Sequence, residues 1–341
     1  MSRFMFIPKR VYFEPEALKY PLGQKLHSYF SSQNIPILQT TSHNRVTGIP
    51  GSTPAEGYRE AKDTLVVGVR KSKDFQTCKP SAHYQLPIAT SCPGKCEYCY
   101  LQTTLGKKPY LRVYVNLDDI LKQAERYIEE RKPDITMFEG SATSDPIPVE
   151  PYTHSMAKTI EFFGRQEYAR ISFVSKFTNI DSLLDLEHNK HTHMRFSINL
   201  PDFIRKYEHS TPSLEERLQA TREIVEAGYP SGLMIAPIFL ETGWQEDYGS
   251  LLRTIKETVP VPDGFTFELI THRFTARAKK NILDIYPGTE LPMEESTRRF
   301  KFGQFGYGKY LYPKEVTDEA KNFFEKEISD LFPKAKIKYF V

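Results

Sequence analysis

From residue 84 onward the chain alternates short apolar runs with longer segments whose apolar residues recur at three- and four-residue spacing. The runs Tyr84–Thr90, Ile135–Glu139, Ile171–Ser175, Met194–Leu200, Gly232–Phe239 and Phe265–Thr271 read as strands. Between them, Leu117–Glu130, Tyr152–Phe163, Ser213–Ala227 and Trp244–Thr258 carry the helical period. Strand-then-helix alternation predicts a parallel sheet with crossover helices, and six such units predict an α/β fold built on a partial (β/α)6 barrel. Residues 1–80 mix short apolar pieces with turns such as Gly48-Ile49-Pro50-Gly51-Ser52 and read as a small N-terminal α/β region. The expected organisation is therefore 1–80, a barrel over 81–285, and a C-terminal region over 286–341 where the rhythm breaks.

In a barrel of this kind, chemistry belongs at the C-terminal ends of the strands. The first strand is followed there by Cys92-Pro93-Gly94-Lys95-Cys96-Glu97-Tyr98-Cys99. This CxxxCxxC spacing puts three thiols on one loop. A [4Fe–4S] cluster normally takes four cysteines, so three ligands leave one iron open. The competing reading is zinc, which would want a fourth Cys or His close by; His83, nine residues before the loop, is the nearest candidate. Cys78 precedes Cys92 by 14 residues, fits no local ligand spacing, and reads as a partly buried thiol. Four cysteines and no secretory h-region after Met1 argue against a disulfide framework. No apolar run approaches the roughly 18 residues a membrane span needs, so no membrane contact is expected.

A net charge of +3 decides nothing, but its distribution does. Ser296 to Lys314 holds Arg298, Arg299, Lys301, Lys309 and Lys314 with no acid, interleaved with Phe300, Phe302, Phe305, Tyr307, Tyr310 and Tyr312. Glycines at 303, 306 and 308 predict a turn, and hence a β-hairpin. A second acid-free stretch runs from His272 and Arg273 to Lys280, directly after the last barrel strand. Cations neutralise phosphates and aromatics stack on or wedge between bases, so a nucleic-acid grip is expected at His272, Arg273, Arg298, Arg299, Lys301, Phe305, Tyr307 and Lys309.

The order Cys-x-x-x-Cys-x-aromatic-Cys, with Tyr98 as the aromatic, resembles the radical S-adenosylmethionine (SAM) enzymes. That resemblance implies a [4Fe–4S] cluster on Cys92, Cys96 and Cys99 whose open iron chelates SAM, and reductive cleavage of SAM to a 5′-deoxyadenosyl radical. The longer run Ala89 to Thr104, with Phe138-Glu139-Gly140-Ser141, Thr143-Ser144-Asp145-Pro146, Val11 to Pro15 and Thr271-His272-Arg273-Phe274, resembles the spore photoproduct lyase family. The family repairs 5-thyminyl-5,6-dihydrothymine, a thymine dimer that ultraviolet light makes in spore DNA, directly to two thymines. The resemblance implies a lyase in the cytoplasm of the spore core, acting as a monomer on double-stranded DNA and reduced by a flavodoxin- or ferredoxin-like electron donor. It implies a SAM cradle of Tyr98, Ser144, Lys176, Ser197, Asn199 and the strand around Ala236, with Tyr98 and Tyr100 returning hydrogen to SAM. It places the hydrogen-donor cysteine of the family at position 142, where this chain has Ala142. An alanine methyl has no weak S–H bond to give, so a chain impaired at the quench, as by an engineered substitution, is expected. The alternative on the residues alone is a radical SAM enzyme modifying an RNA base.

Overall fold

The computed structural model describes residues 4–79, 81–302 and 308–341. The expected strand Tyr84–Thr90 splits: its start lies in β1 (Ala82–Gln85) and its end, Ala89–Thr90, joins a second sheet. The other five predicted barrel strands form as β2 (Thr136–Glu139), β3 (Ala169–Ser175), β4 (Thr192–Ile198), β5 (Ser231–Ile238) and β6 (Thr266–Thr271). β1 to β6 pair in chain order, all parallel. Their sheet gains two strands that the apolar pattern does not announce. Lys336–Phe340 (β7) pairs parallel to β6, and the two-residue strand Thr77–Cys78 pairs antiparallel to β1 at the other edge.

Alternation along each strand sends one set of side chains outward and the other inward. Phe138, Ile171, Phe173, Phe196 and Leu233 pack outward under helices such as Leu117–Arg131 and Leu214–Glu226. The first of these helices buries Ile120, Leu121, Ala124 and Ile128 along one face; the second starts on a capping box formed by Ser213 and Glu216. Inward, the Arg195 guanidinium on β4 bonds Glu139 of β2 at 2.5 Å and Glu268 of β6 at 2.9 Å. In a flat sheet, β2 and β6 would stand roughly 19 Å apart, at about 4.8 Å per strand. One side chain that holds carboxylates on both therefore measures the curl of the sheet into a half-barrel.

The expected boundary at residue 80 does not separate the sheets. Arg10–Phe13, Ile37–Gln39 and Thr64–Gly68 form a smaller sheet that continues into Leu111–Tyr114 and Ala89–Thr90, the residues just before the cysteine loop. The boundary at 286 is crossed likewise, because β7 belongs to the barrel sheet. The C-terminal hairpin is present as Arg299–Phe302 paired antiparallel with Gly308–Leu311; the expectations for Phe305 and Tyr307 lie outside the described residues. Among the described residues, no helix is long and apolar enough to cross a membrane.

Candidate active site

The cysteine loop is held at the strand tips from several sides. Ser91 adopts a left-handed backbone (φ 68°) directly before Cys92, a conformation a non-glycine residue keeps only where its surroundings enforce it. Here its N–H donates to the Thr143 carbonyl at 2.8 Å, its carbonyl accepts from Asp145 N–H at 3.2 Å, and its hydroxyl donates to the Pro109 carbonyl at 2.7 Å. Gln102 donates to the carbonyls of Cys96 and Glu97, and Lys95-Cys96 forms a short antiparallel ladder with Glu208-His209. A Cβ added at Gly94 would lie 3.3 Å from Cys92 Sγ and 3.1 Å from Thr211. Glycine there lets the loop close over its first cysteine.

Three thiols on one loop are the donor set that a [4Fe–4S] cluster with one open iron would take. Among the described residues, no three His, Cys, Asp or Glu side chains stand close enough together to share one metal ion. His83, the candidate fourth zinc ligand, instead accepts the Met137 N–H and contacts Arg131. Desolvation pushes the Cys92 thiol up to about 12 and raises Cys96 as well. Bare, these thiols hold their protons, and the positive charge of iron is what would release them.

Facing the loop, Lys176 at the tip of β3 puts its ammonium 2.8 Å from Glu208, 3.1 Å from the Tyr98 hydroxyl and 3.2 Å from the Ser197 hydroxyl. Tyr98 donates to the same Glu208 carboxylate. Arg217, fully buried, approaches the other Glu208 oxygen at 2.6 Å and donates to the Ser197 carbonyl at 3.0 Å. Burial alone would raise the Glu208 carboxyl, but Arg217 and Lys176 outweigh it and hold it at about 2. Behind Lys176, Asp145 accepts from Ser175 Oγ and from the Lys176 N–H at 3.0 Å; burial raises it to about 6 against those bonds. Lys176, Ser197 and Tyr98 are thus brought together, and Ser144 stands apart from them, bridged to Ser91 at the start of the cysteine loop. Asn199 is not free to join: fully buried, it donates to the Pro237 carbonyl and accepts from Leu200 N–H and the Tyr248 hydroxyl. Its effect falls on the β5 tip that carries Ala236.

A family model described as spore photoproduct lyase matches residues 6–341. The chain belongs to the spore photoproduct lyase family. It is 50% identical to the spore photoproduct lyase of Clostridium acetobutylicum, with 98% of each chain covered, and 47% identical to that of Bacillus subtilis over 98% of each. It is also similar to two solved spore photoproduct lyase structures. One, a cysteine-to-alanine and serine-to-cysteine double mutant with bound AdoMet and dinucleoside spore photoproduct, has a TM-score of 0.95 at 50% identity, covering 98% of this chain and 99% of its own. The other, complexed with dinucleoside spore photoproduct, has a TM-score of 0.95 at 49% identity and the same coverage. The two substituted positions of the double mutant are spaced along its chain as Cys78 and Ala142 are along this one.

That spacing turns attention to Cys78, which its place in the sequence sets apart from the chemistry. Its short edge strand places it opposite Ala82 of β1. The thiol is half-buried and lies within electrostatic reach of Glu139, Arg195 and the Tyr100 phenol. Tyr100 in turn donates its hydroxyl hydrogen bond to the Ala142 carbonyl. In this member of the spore photoproduct lyase family, one tyrosine therefore links position 142 to the fourth cysteine.

The cationic stretches need correction. Arg298 is buried, its guanidinium 3.5 Å from the Tyr312 ring centre and bonded to the His272 and Pro292 carbonyls. His272 is buried and stacked on Phe239. Both brace the hairpin from inside rather than presenting charge to a partner. Arg299, Lys301, Phe300 and Phe302 are exposed, whereas Arg273 and Lys309 are half-buried, with burial first and the Arg273 charge second in lowering the Lys309 ammonium. Sequence reasoning missed Glu208 and Arg217, which no local spacing marks. It also missed Lys62, which occupies an inward position of the helix Pro54–Lys62, one turn after Tyr58.

Proposed function

We propose that this chain reverts the spore photoproduct, 5-thyminyl-5,6-dihydrothymine, to two thymines in double-stranded DNA, on the (β/α)6 core of a radical SAM enzyme. The observation that carries the reading is the seating of the three-cysteine loop against Lys176, Tyr98 and Ser197 at the C-terminal ends of the curled sheet. Cys92, Cys96 and Cys99 would hold the [4Fe–4S] cluster, and Ser144, Lys176 and Ser197 with the backbone near Ala236 would hold SAM. When bound, cluster and SAM supply a carbon-centred radical, given one electron by a flavodoxin- or ferredoxin-like donor in the spore.

The residues of this chain handle the later steps at the lesion. After the bond between the bases breaks, the thymine radical needs one hydrogen atom. Cys78 would give it, its S–H breaking as a C–H forms on the base. The resulting thiyl would take a hydrogen atom from the Tyr100 phenol, which bonds the position 142 carbonyl and is within electrostatic reach of Cys78. The phenoxyl would be returned to phenol by the hydrogen atom first removed from the lesion, so that no net hydrogen is consumed. On this reading Ala142 does not leave the chain impaired, because the donor has moved from the turn after β2 to the short edge strand Thr77–Cys78. Arg299, Lys301 and Lys309 serve the phosphates.

The test is anaerobic incubation of reconstituted protein with dinucleoside spore photoproduct, SAM and dithionite, with thymine product and SAM consumption quantified by mass spectrometry. Many lesions reverted per SAM consumed are expected, with no change to RNA substrates; SAM cleavage that leaves the lesion intact would overturn the assignment. For the donor, Cys78→Ser should leave SAM cleavage running while clean thymine formation falls at least tenfold, and adding Ala142→Cys should restore it. Unimpaired repair by the Cys78→Ser protein would remove Cys78 from the pathway.

A further inference from the structure

The helix Pro54–Lys62 belongs to the N-terminal region, yet two of its side chains end against the cysteine loop. Lys62 is fully buried, and its ammonium donates to the Cys92 carbonyl at 2.8 Å. Among the described residues, no carboxylate lies within ion-pair distance of it; its other close neighbour is the Tyr58 ring, 5.5 Å away. An uncompensated buried ammonium is costly, and native proteins keep one where a negative partner answers it. Tyr58, one turn earlier, is also fully buried. Its hydroxyl makes no close hydrogen bond and faces the Tyr286 phenol, which itself donates to the Lys95 carbonyl; it sits within electrostatic reach of Cys96 and Cys99. A buried donor with only another phenol beside it and a buried cation without a carboxylate, one turn apart on one helix, both lie where a bound cluster would present negative charge.

We infer that Lys62 and Tyr58 tune the reduction potential of the cluster upward, Lys62 as a fixed positive charge beside Cys92 and Tyr58 as a hydrogen-bond donor toward the sulfurs of Cys96 and Cys99. The inference rests on the reading of this loop as a cluster loop. With three thiolates, the cube goes from one net negative charge to two when one electron enters from an external reductant. A nearby cation or donor stabilises the more negative state more strongly, and cluster potentials follow net charge and hydrogen bonds to sulfur. Neither residue touches SAM or substrate in this assignment; both act through the cluster as positioning residues.

The test is a redox titration of the reconstituted full chain followed by electron paramagnetic resonance, with iron counted in every sample. At a solution potential near the wild-type midpoint, Lys62→Met should lower the ratio of reduced to oxidised cluster at least tenfold, which is about 59 mV for one electron. Lys62→Arg, which keeps the charge, should stay within about threefold of wild type, and Tyr58→Phe should lower the ratio about threefold, as expected for one hydrogen bond against one full charge. An unchanged ratio in Lys62→Met protein with full iron overturns the inference, as does a Lys62→Arg protein that falls as far as Lys62→Met. If Lys62→Met fails to retain its irons, Tyr58→Phe decides: it removes one hydroxyl at constant shape, and an unchanged ratio there overturns the inference equally. A wild-type sample with full iron and no paramagnetic signal on reduction would instead sink the cluster reading itself.

Discussion

The cysteine loop and the C-terminal hairpin are both rich in functional residue types, yet they are built in opposite ways. The loop is half to fully buried, braced through Ser91, Gln102 and the Lys95-Cys96 ladder, and backed by a carboxylate that two cations share. The hairpin shows Phe300, Lys301 and Phe302 to solvent, and one buried arginine, Arg298, fastens it underneath. A site that must hold a reactive group still and exclude water pays for rigidity with buried charge, whereas a surface that grips phosphates needs its charge exposed. Substitutions in the first region should therefore act on assembly and stability, and in the second on affinity.

The largest effect is expected at Cys96. Cys96→Ala leaves two thiolates for a cube that needs three anchors, and reconstituted protein should hold well below the roughly four irons per chain of an intact cluster. Iron and sulfide assays check this directly; full occupancy would remove Cys96 from the ligand set.

Next comes Glu208. Glu208→Gln strips the anion from between Arg217 and Lys176 and strands two cations, a change that costs about 3–5 kcal/mol in comparable buried pairs. The pH dependence has a definite sign. The folded carboxyl sits at about 2 against an ordinary value of 4.5. Its contribution, about 3 kcal/mol at roughly 1.36 kcal/mol per pH unit, is therefore complete above the ordinary carboxyl value and lost as pH falls toward the folded one. Chemical denaturation at several pH values should show a flatter acid limb in Glu208→Gln, starting from a lower plateau. Parallel limbs in the two proteins would mean that the ion pairs are not coupled to the fold.

These two positions also mark how far the sequence could be read. Cys92, Cys96 and Cys99 are legible because their ligand spacing is local, and the strands β2 to β6 because each is a short apolar run bounded by turns. Glu208 is illegible: it meets Lys176 and Tyr98 only after the sheet has curled, and nothing near it in the chain announces the meeting. Cys78 is visible but easily misjudged, because an antiparallel two-residue strand carries no hydrophobic pattern and only pairing with β1 brings it toward Tyr100. Arg298 and His272 mislead for a related reason. Composition counts cations and cannot say which of two adjacent arginines points into the protein.

Arg298 and its neighbour therefore separate the two regions within a single dipeptide. Arg298→Ala should lower stability by about 1–3 kcal/mol, because it leaves the His272 and Pro292 carbonyls without their donor and empties the space over the Tyr312 ring. Thermal unfolding would register this, and a variant as stable as wild type would return Arg298 to the surface set.

The smallest effect on the protein itself should come from reversing the exposed charges, Arg299→Glu with Lys301→Glu. Both side chains lie on the solvent side of the hairpin. Arg299 also donates to the Tyr312 carbonyl at 3.2 Å, so its removal alone carries a slight structural component; Lys301 serves as the cleaner half of the pair. Unfolding should shift by no more than about 0.5 kcal/mol, the usual range for surface substitutions. Binding to duplex DNA should weaken, and the slope of log affinity against log salt should shrink by about 1.8, since every phosphate left without its cation takes about 0.9 from that slope. The two measurements must be read together. A fall in affinity with the salt slope unchanged would point to weakened aromatic stacking by Phe300 or Phe302, and an unchanged affinity would place the grip elsewhere, with Arg273 and the helix Ala276–Ile285 next to be tested.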